Sequence, residues 1–176
     1  METEHSILLK KMFNNIDSNI IKILDAGSGK TSLSILLDHY KKAVIDAIVF
    51  PGDHRKINSI TEYIKSTNFT LMELDICNST ISKNYDLVLS HLLLGEALKW
   101  NNEVEYLLEK LMSIKSKYYI IFDYKEDIAI NYEKIESYFI NNSFEIICKD
   151  EIIKKEPQIF NDFIGKNYVA YAIKKK

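Results

Sequence analysis

The sequence Asp25-Ala26-Gly27-Ser28-Gly29 closes an apolar run, Ile21-Lys22-Ile23-Leu24, with a carboxylate and two glycines. The helical pattern that follows carries Leu33, Leu36 and Leu37 on one side. A strand, a tight loop and a helix start in this order form a ligand cradle. Gly27 and Gly29 have no Cβ, so a ligand can lie on the backbone, and the helix start offers N–H groups without intrahelical partners. Asp25 can hold a cationic group of that ligand or cap the loop. Further along, Asp53 stands after Pro51-Gly52 at another strand-to-helix junction, where a carboxylate can reach a ligand hydroxyl or cap the helix. His91 follows the apolar run Leu87-Val88-Leu89-Ser90. Its neutral imidazole is suited to take a proton from a hydroxyl or amine, and equally suited to a structural hydrogen bond.

The elements that must position these residues alternate. A short leading helix over 5–15 precedes strands over 20–25, 44–50, 69–76 and 86–90 and a fifth over 118–122. Helices are expected over 31–40, after Asp53 (with Ile57, Ile60 and Ile64 on one face), over 96–114 and over 132–140. The tail changes rhythm: 144–150 and 168–173 read as strands with no clear helix between them, so they pair antiparallel. In a doubly wound sheet ligands lie beyond the carboxyl ends of the strands, where strand order reverses. All the candidates above sit at such ends.

The letters Gly29-Lys30-Thr31 suggest a P-loop, with Asp123 ending a strand that could hold magnesium. The first glycine of that motif would have to be at position 24, which is leucine, so the loop is too short to wrap a phosphate chain. A dinucleotide site wants a third glycine where Ser32 stands.

Asp25-Ala26-Gly27-Ser28-Gly29 resembles the first motif of the class I S-adenosylmethionine-dependent methyltransferases, and the resemblance of element order runs from Ile20 to Lys174. It implies an α/β fold: a doubly wound, seven-stranded, mostly parallel sheet of order 3-2-1-4-5-7-6 with helices on both faces. It also implies S-adenosyl-L-methionine as cofactor, held by Asp25, Ala26, Gly27 and Gly29, with Asp75 meeting the adenine amino group and Ile76 packing on its ring. Ser90 and His91 then face the transferable methyl and the acceptor, with Glu96 and Tyr124 as weaker candidates on the same edge. Two departures stand out. The position near Val49, where the family carries an acid for the ribose, is apolar, leaving Asp53 as the nearest downstream carboxylate. Ser90 fills the first slot of the family's fourth motif, but His91-Leu92-Leu93 replaces the Pro-Pro-aromatic pattern of methylases acting on exocyclic base amines.

Length and charge narrow the rest. A chain of 176 residues makes one domain, 1–176, with 1–19 as leader and 20–176 as catalytic core, and can bury about 70% of its unfolded surface. Cys77 and Cys148 have neither metal nor disulfide spacing and read as free thiols in a reducing cytoplasm; no metal site is expected. No run is long enough to span a membrane. With 22 lysines to one arginine and a net charge of −2, nothing draws the whole chain to nucleic acid. A small-molecule acceptor is therefore favoured over RNA, while Lys10-Lys11, His54-Arg55-Lys56 and the final lysines keep RNA open. A non-catalytic cofactor-binding module of the same fold is the alternative, supported by the missing acid at Val49.

Overall fold

The structure is a computed structural model that describes residues 3–97, 104–125, 131–153 and 167–176. In chain order the elements are α1 (Glu4–Asn14), β1 (Lys22–Ala26), α2 (Lys30–His39), β2 (Val44–Val49), α3 (His54–Tyr63) and β3 (Phe69–Glu73). A single 3-10 turn (Ile76–Asn78) leads to β4 (Tyr85–His91), α4 (Leu93–Ala97), α5 (Val104–Ser113), β5 (Ser116–Tyr124), α6 (Tyr132–Asn141), β6 (Phe144–Ile152) and β7 (Tyr168–Lys175). The strands form one sheet of order β3-β2-β1-β4-β5-β7-β6. The first five are parallel, and β7 runs antiparallel to both β5 and β6. The expected topology is thus the observed one.

Burial on both sides explains the near-continuous apolar sequences of β4 and β5, since each residue faces one of two cores. One core gathers Leu8, Leu9, Met12 and Phe13 of α1 and Leu33 and Leu36 of α2 against Ile23, Ile45, Leu87 and Ile120. The other gathers Leu107, Leu108 and Leu111 of α5 and Ile135 and Phe139 of α6 against Val88, Tyr119, Ile121 and Tyr171. The leading helix is therefore part of the core. Thr3 accepts a hydrogen bond from the amide of Ser6 to start it, and its inner side chains are almost wholly buried.

The boundaries differ from the sequence expectation in instructive places. Strand three stops at Glu73, not 76, because the Asp75 carboxylate accepts from the Cys77 amide and turns the chain into the 3-10 turn. The expected helix over 96–114 is described as two, α4 and α5, with 98–103 outside the described residues. The side chain of Glu96 lies outside them as well. Between β3 and β4 the chain must cross β2 and β1, a step usually made by a helix; here residues 74–84 do it with one turn.

Because α1 packs into the core, Leu9→Ala should cost about 2–5 kcal/mol, the range for emptying a fully buried leucine site. Urea unfolding measures it, and a cost under about 0.5 kcal/mol would show that α1 is only loosely docked.

Candidate functional site

The sheet reverses its winding between β1 and β4. There Asp25 pairs with Leu89 and Ala26 with Ser90. The two motifs singled out in the sequence, ending on Gly29 and on His91, are thus neighbours at the carboxyl edge.

Asp25 is fully buried and organises the loop after β1. Its Oδ2 accepts from the Ser28 hydroxyl at 2.6 Å and from the Ser32 hydroxyl at 2.8 Å, while Oδ1 has no partner. Burial raises its carboxyl to about 6, and the two serine bonds and the positive charge of Lys56 oppose that rise. Ser28 also donates its amide to the Ile48 carbonyl at 2.6 Å, tying the loop to β2. The loop therefore joins three elements.

The two glycines play different parts. Gly27 has a φ of +75°, and a Cβ there would stand 2.6 Å from Leu93 Cδ1. Its bareness is required by this chain's own packing and by its backbone. A Cβ at Gly29 would meet nothing within 4 Å, so the open approach lies there, at the first turn of α2. The Gly29 amide donates to the Ser32 hydroxyl at 3.2 Å.

Opposite the loop, β4 ends in Ser90 and His91. Ser90 Oγ is fully buried with no hydrogen-bond partner. His91 is 7% exposed, with Nε2 2.9 Å from Nδ1 of His5 on α1, and its ring lies against Phe122. Burial, then the neighbouring His5, lowers its imidazole to about 3, so it is neutral at ordinary pH. His5 also touches the rings of Phe122 and Tyr168, and Tyr168 touches Tyr124. Aromatic rings from α1, β4, β5 and β7 thus line this corner.

The next residue, Leu92, has a φ of 58°, unusual for a branched apolar side chain. It brings Leu93 over Gly27. The start of α4 is then held by Asp123, a fully buried carboxylate at the end of β5, which accepts from the amides of Leu94 and Gly95. A buried carboxylate on a helix start satisfies orphan donors and complements the helix dipole.

The remaining carboxylates already have partners. Asp53 Oδ1 accepts from the Lys56 amide and caps α3, and Asp75 accepts from the Cys77 amide and the Asn78 side chain. Val49 is fully buried, while its strand neighbour Glu73 reaches back to accept from the Gly52 amide. Ile76 is buried within the 3-10 turn. The structure brings Asp25, Ala26, Gly27, Ser90 and His91 together and sets Asp53, Asp75 and Ile76 at the ends of the next two strands. Tyr124 ends β5, its carbonyl accepting from the Tyr132 hydroxyl.

Sequence reasoning missed His5, Lys56, Leu93 and Asp123. His5 lies 86 positions from its partner, so no local pattern links them. Lys56, whose charge bears on both Asp25 and His91, is one lysine among many. Asp123 carries a visible signal, a carboxylate ending an apolar strand, but in the sequence that signal points only to a magnesium ligand. Among the described residues there is no group of three or more metal-ligating side chains.

No family model and no curated protein sequence matches the chain. Solved structures do match its fold. The 16S rRNA methylase ArmA aligns over 97% of this chain and 82% of its own, with a TM-score of 0.60 at 18% identity. A Listeria monocytogenes protein assigned as an S-adenosylmethionine-dependent methyltransferase aligns over 98% and 100%, with a TM-score of 0.69 at 13% identity. The StiE O-MT aligns over 98% and 74%, with a TM-score of 0.67 at 14% identity. Together with the strand order and the antiparallel seventh strand, these likenesses place the chain in the class I methyltransferase fold.

Proposed function

We propose that this protein transfers a methyl group from S-adenosyl-L-methionine to an acceptor, with a small molecule favoured over RNA. The observation that carries the reading is Asp25: a fully buried carboxylate whose Oδ1 lacks a partner, at the switch point of the sheet, beside the open backbone of Gly29. An unsatisfied buried oxygen of this kind costs about 1–3 kcal/mol unless a donor reaches it. The ammonium end of the cofactor is such a donor. Asp53 and Asp75 stand where the ribose and adenine of an extended nucleoside would follow, and Ile76 offers an apolar surface. The residues present fit the group, with Leu93 as a wall over Gly27 rather than Gly27 itself as the floor.

When bound, the cofactor supplies a methyl group already activated by its sulfonium. The protein's own share is to position the acceptor, exclude water and accept a proton. The half-buried rings of His5 and Tyr168, backed by the buried His91 and Phe122, would give an apolar or planar acceptor a surface to rest on. His91 and Ser90 stand closest to the reacting edge in this reading. In this reading a proton taken at His91 passes on through Nε2 to Nδ1 of His5, because burial makes the imidazole itself a weak base.

Calorimetry with S-adenosylhomocysteine, and with ATP and magnesium, tests the reading. Micromolar binding of the first and none of the second is expected; ATP binding that depends on Lys30 would overturn it. Gly29→Ala should keep stability within about 1 kcal/mol yet weaken S-adenosylhomocysteine, because nothing of the protein occupies that space. Gly27→Ala should instead lower the melting temperature, and Leu93→Ala should restore part of the loss.

Asp25 also gives a pH test. Its folded-state value, about 6, lies above the ordinary carboxylate value, so the native state holds the proton more tightly than the unfolded chain. Stability should therefore fall as pH rises from about 4 to about 6, by up to roughly 3 kcal/mol, and Asp25→Asn should flatten that slope. Affinity for S-adenosylhomocysteine runs the other way: it should weaken as pH falls through 6 and the carboxylate is neutralised. An affinity that is flat from pH 5 to 7 would place the ammonium elsewhere.

The alternative, a binding module without catalysis, draws on the buried Val49 and on His91 being held neutral by burial. Incorporation of labelled methyl into small-molecule and RNA fractions separates the two. With a labelled acceptor in hand, His91→Ala should slow transfer by about 10²–10⁴-fold at unchanged S-adenosylhomocysteine affinity. A fully active variant would remove the imidazole from the mechanism.

A further inference from the structure

The thin crossover between β3 and β4 leaves part of the sheet uncovered at its opposite, amino edge. Residues 74–84 make the crossover with a single turn, and at its end, where Lys83 and Asn84 lead into β4, a hollow of about 670 Å³ opens beside the starts of β1 and β2. Its floor is a polar cluster in which Asp46 and Tyr85 are buried and Lys83 is exposed. Asp46, 8% exposed on β2, accepts from the Lys83 ammonium at 2.8 Å and from the Tyr85 hydroxyl at 2.7 Å, both on the same Oδ2. One wall is apolar and open: Ile21 is 56% exposed and Val44 59% exposed, adjacent across the β1–β2 pair, where the Val44 amide donates to the Ile21 carbonyl. Large apolar side chains exposed side by side in a concavity mark a binding surface more often than scattered ones do.

The rim is basic. Lys22, paired in register with Val44, and Lys42, two residues before it, both line the hollow and are exposed. The carboxylates nearby are already engaged. Asp46 serves Lys83 and Tyr85, and Asp86 accepts from the backbone amides of Ile21 and Lys22. No ion pair among the described residues uses the Lys22 or Lys42 ammonium. Two unpaired cations beside an open apolar wall and a neutralised floor select a ligand that is anionic at one end and aliphatic at the other.

We propose that this hollow binds an amphipathic anion, with its headgroup between Lys22 and Lys42 and its aliphatic body against Ile21 and Val44. The site lies at the edge of the sheet opposite the glycine loop, and it stands whether or not the chain transfers methyl groups. Charge-assisted contacts orient the headgroup.

Titration with decanoate, with decyl phosphate and with inorganic phosphate tests it by calorimetry. One or both of the aliphatic anions should bind saturably with one site per chain, and the tighter of the two identifies the headgroup. Inorganic phosphate alone should bind at least tenfold more weakly, because it cannot use the apolar wall. Lys22→Gln/Lys42→Gln should weaken the aliphatic anion at least tenfold, and Val44→Ser should weaken it while leaving phosphate unchanged. Far-ultraviolet circular dichroism and an unchanged melting temperature show that both variants are folded. Absence of saturable binding by either aliphatic anion, binding that survives the double substitution, or phosphate binding as tight as that of the aliphatic anions would overturn the proposal.

Discussion

The carboxyl edge of this sheet is built around a charge placed where water cannot reach it. Asp25 stands next to last in β1, inside the core, and two serine hydroxyls, three and seven residues on, converge on one of its oxygens. That convergence fixes the course of the loop: Ser28 must turn inward, which puts Gly27 at positive φ, and Ser32 must face down from the first turn of α2, which sets the helix on the strand. The cost of burial is met on one oxygen and left unmet on the other. The loop is thus held by one carboxylate oxygen while the other, Oδ1, has no hydrogen-bond partner.

A second buried carboxylate does the same for the facing edge. Asp123 receives the first amides of α4, and the left-handed Leu92 that precedes them lets the chain leave β4 and turn back within one residue. The two anchors meet through Leu93 and Gly27. A side chain on the glycine would strike the leucine, so neither segment can shift without the other. The switch point is consequently a closed contact between two carboxylate-anchored turns, and the room for a ligand opens beside it, at Gly29.

Much of this was legible in the sequence because it is local. The order of strands and helices follows from apolar runs and their punctuation, and the capping role open to Asp53 follows from its position between Gly52 and an amphipathic stretch. The strap between β3 and β4 was not read, since a run such as Asp75-Ile76-Cys77-Asn78 continues a strand pattern until the Asp75 side chain captures the Cys77 amide. Nor could the sequence pair His5 with His91, because their meeting depends on α1 folding back across the sheet. In the sequence Ser32 stands out only as a missing glycine; its hydroxyl, bonded to Asp25, is the reason a serine serves there.

Burial pushes the two titratable groups of the switch point in opposite directions on the pH scale and toward the same end. Asp25 rises to about 6 and His91 falls to about 3, so each is driven toward its uncharged form. Acid therefore affects stability through them with opposite signs. Protonating Asp25 relieves a buried charge. His91 stays neutral in the native state while an unfolded imidazole would take up a proton, so it withdraws stability as pH falls from about 6.5 toward 3. Around neutrality Asp25 alone of this pair carries charge. The end of β1 therefore carries a buried negative charge at neutrality, while the His91 ring at the end of β4 is uncharged. A carboxylate charged at neutrality and an imidazole kept neutral by burial thus stand at the ends of two adjacent strands, β1 and β4, on one edge of the sheet.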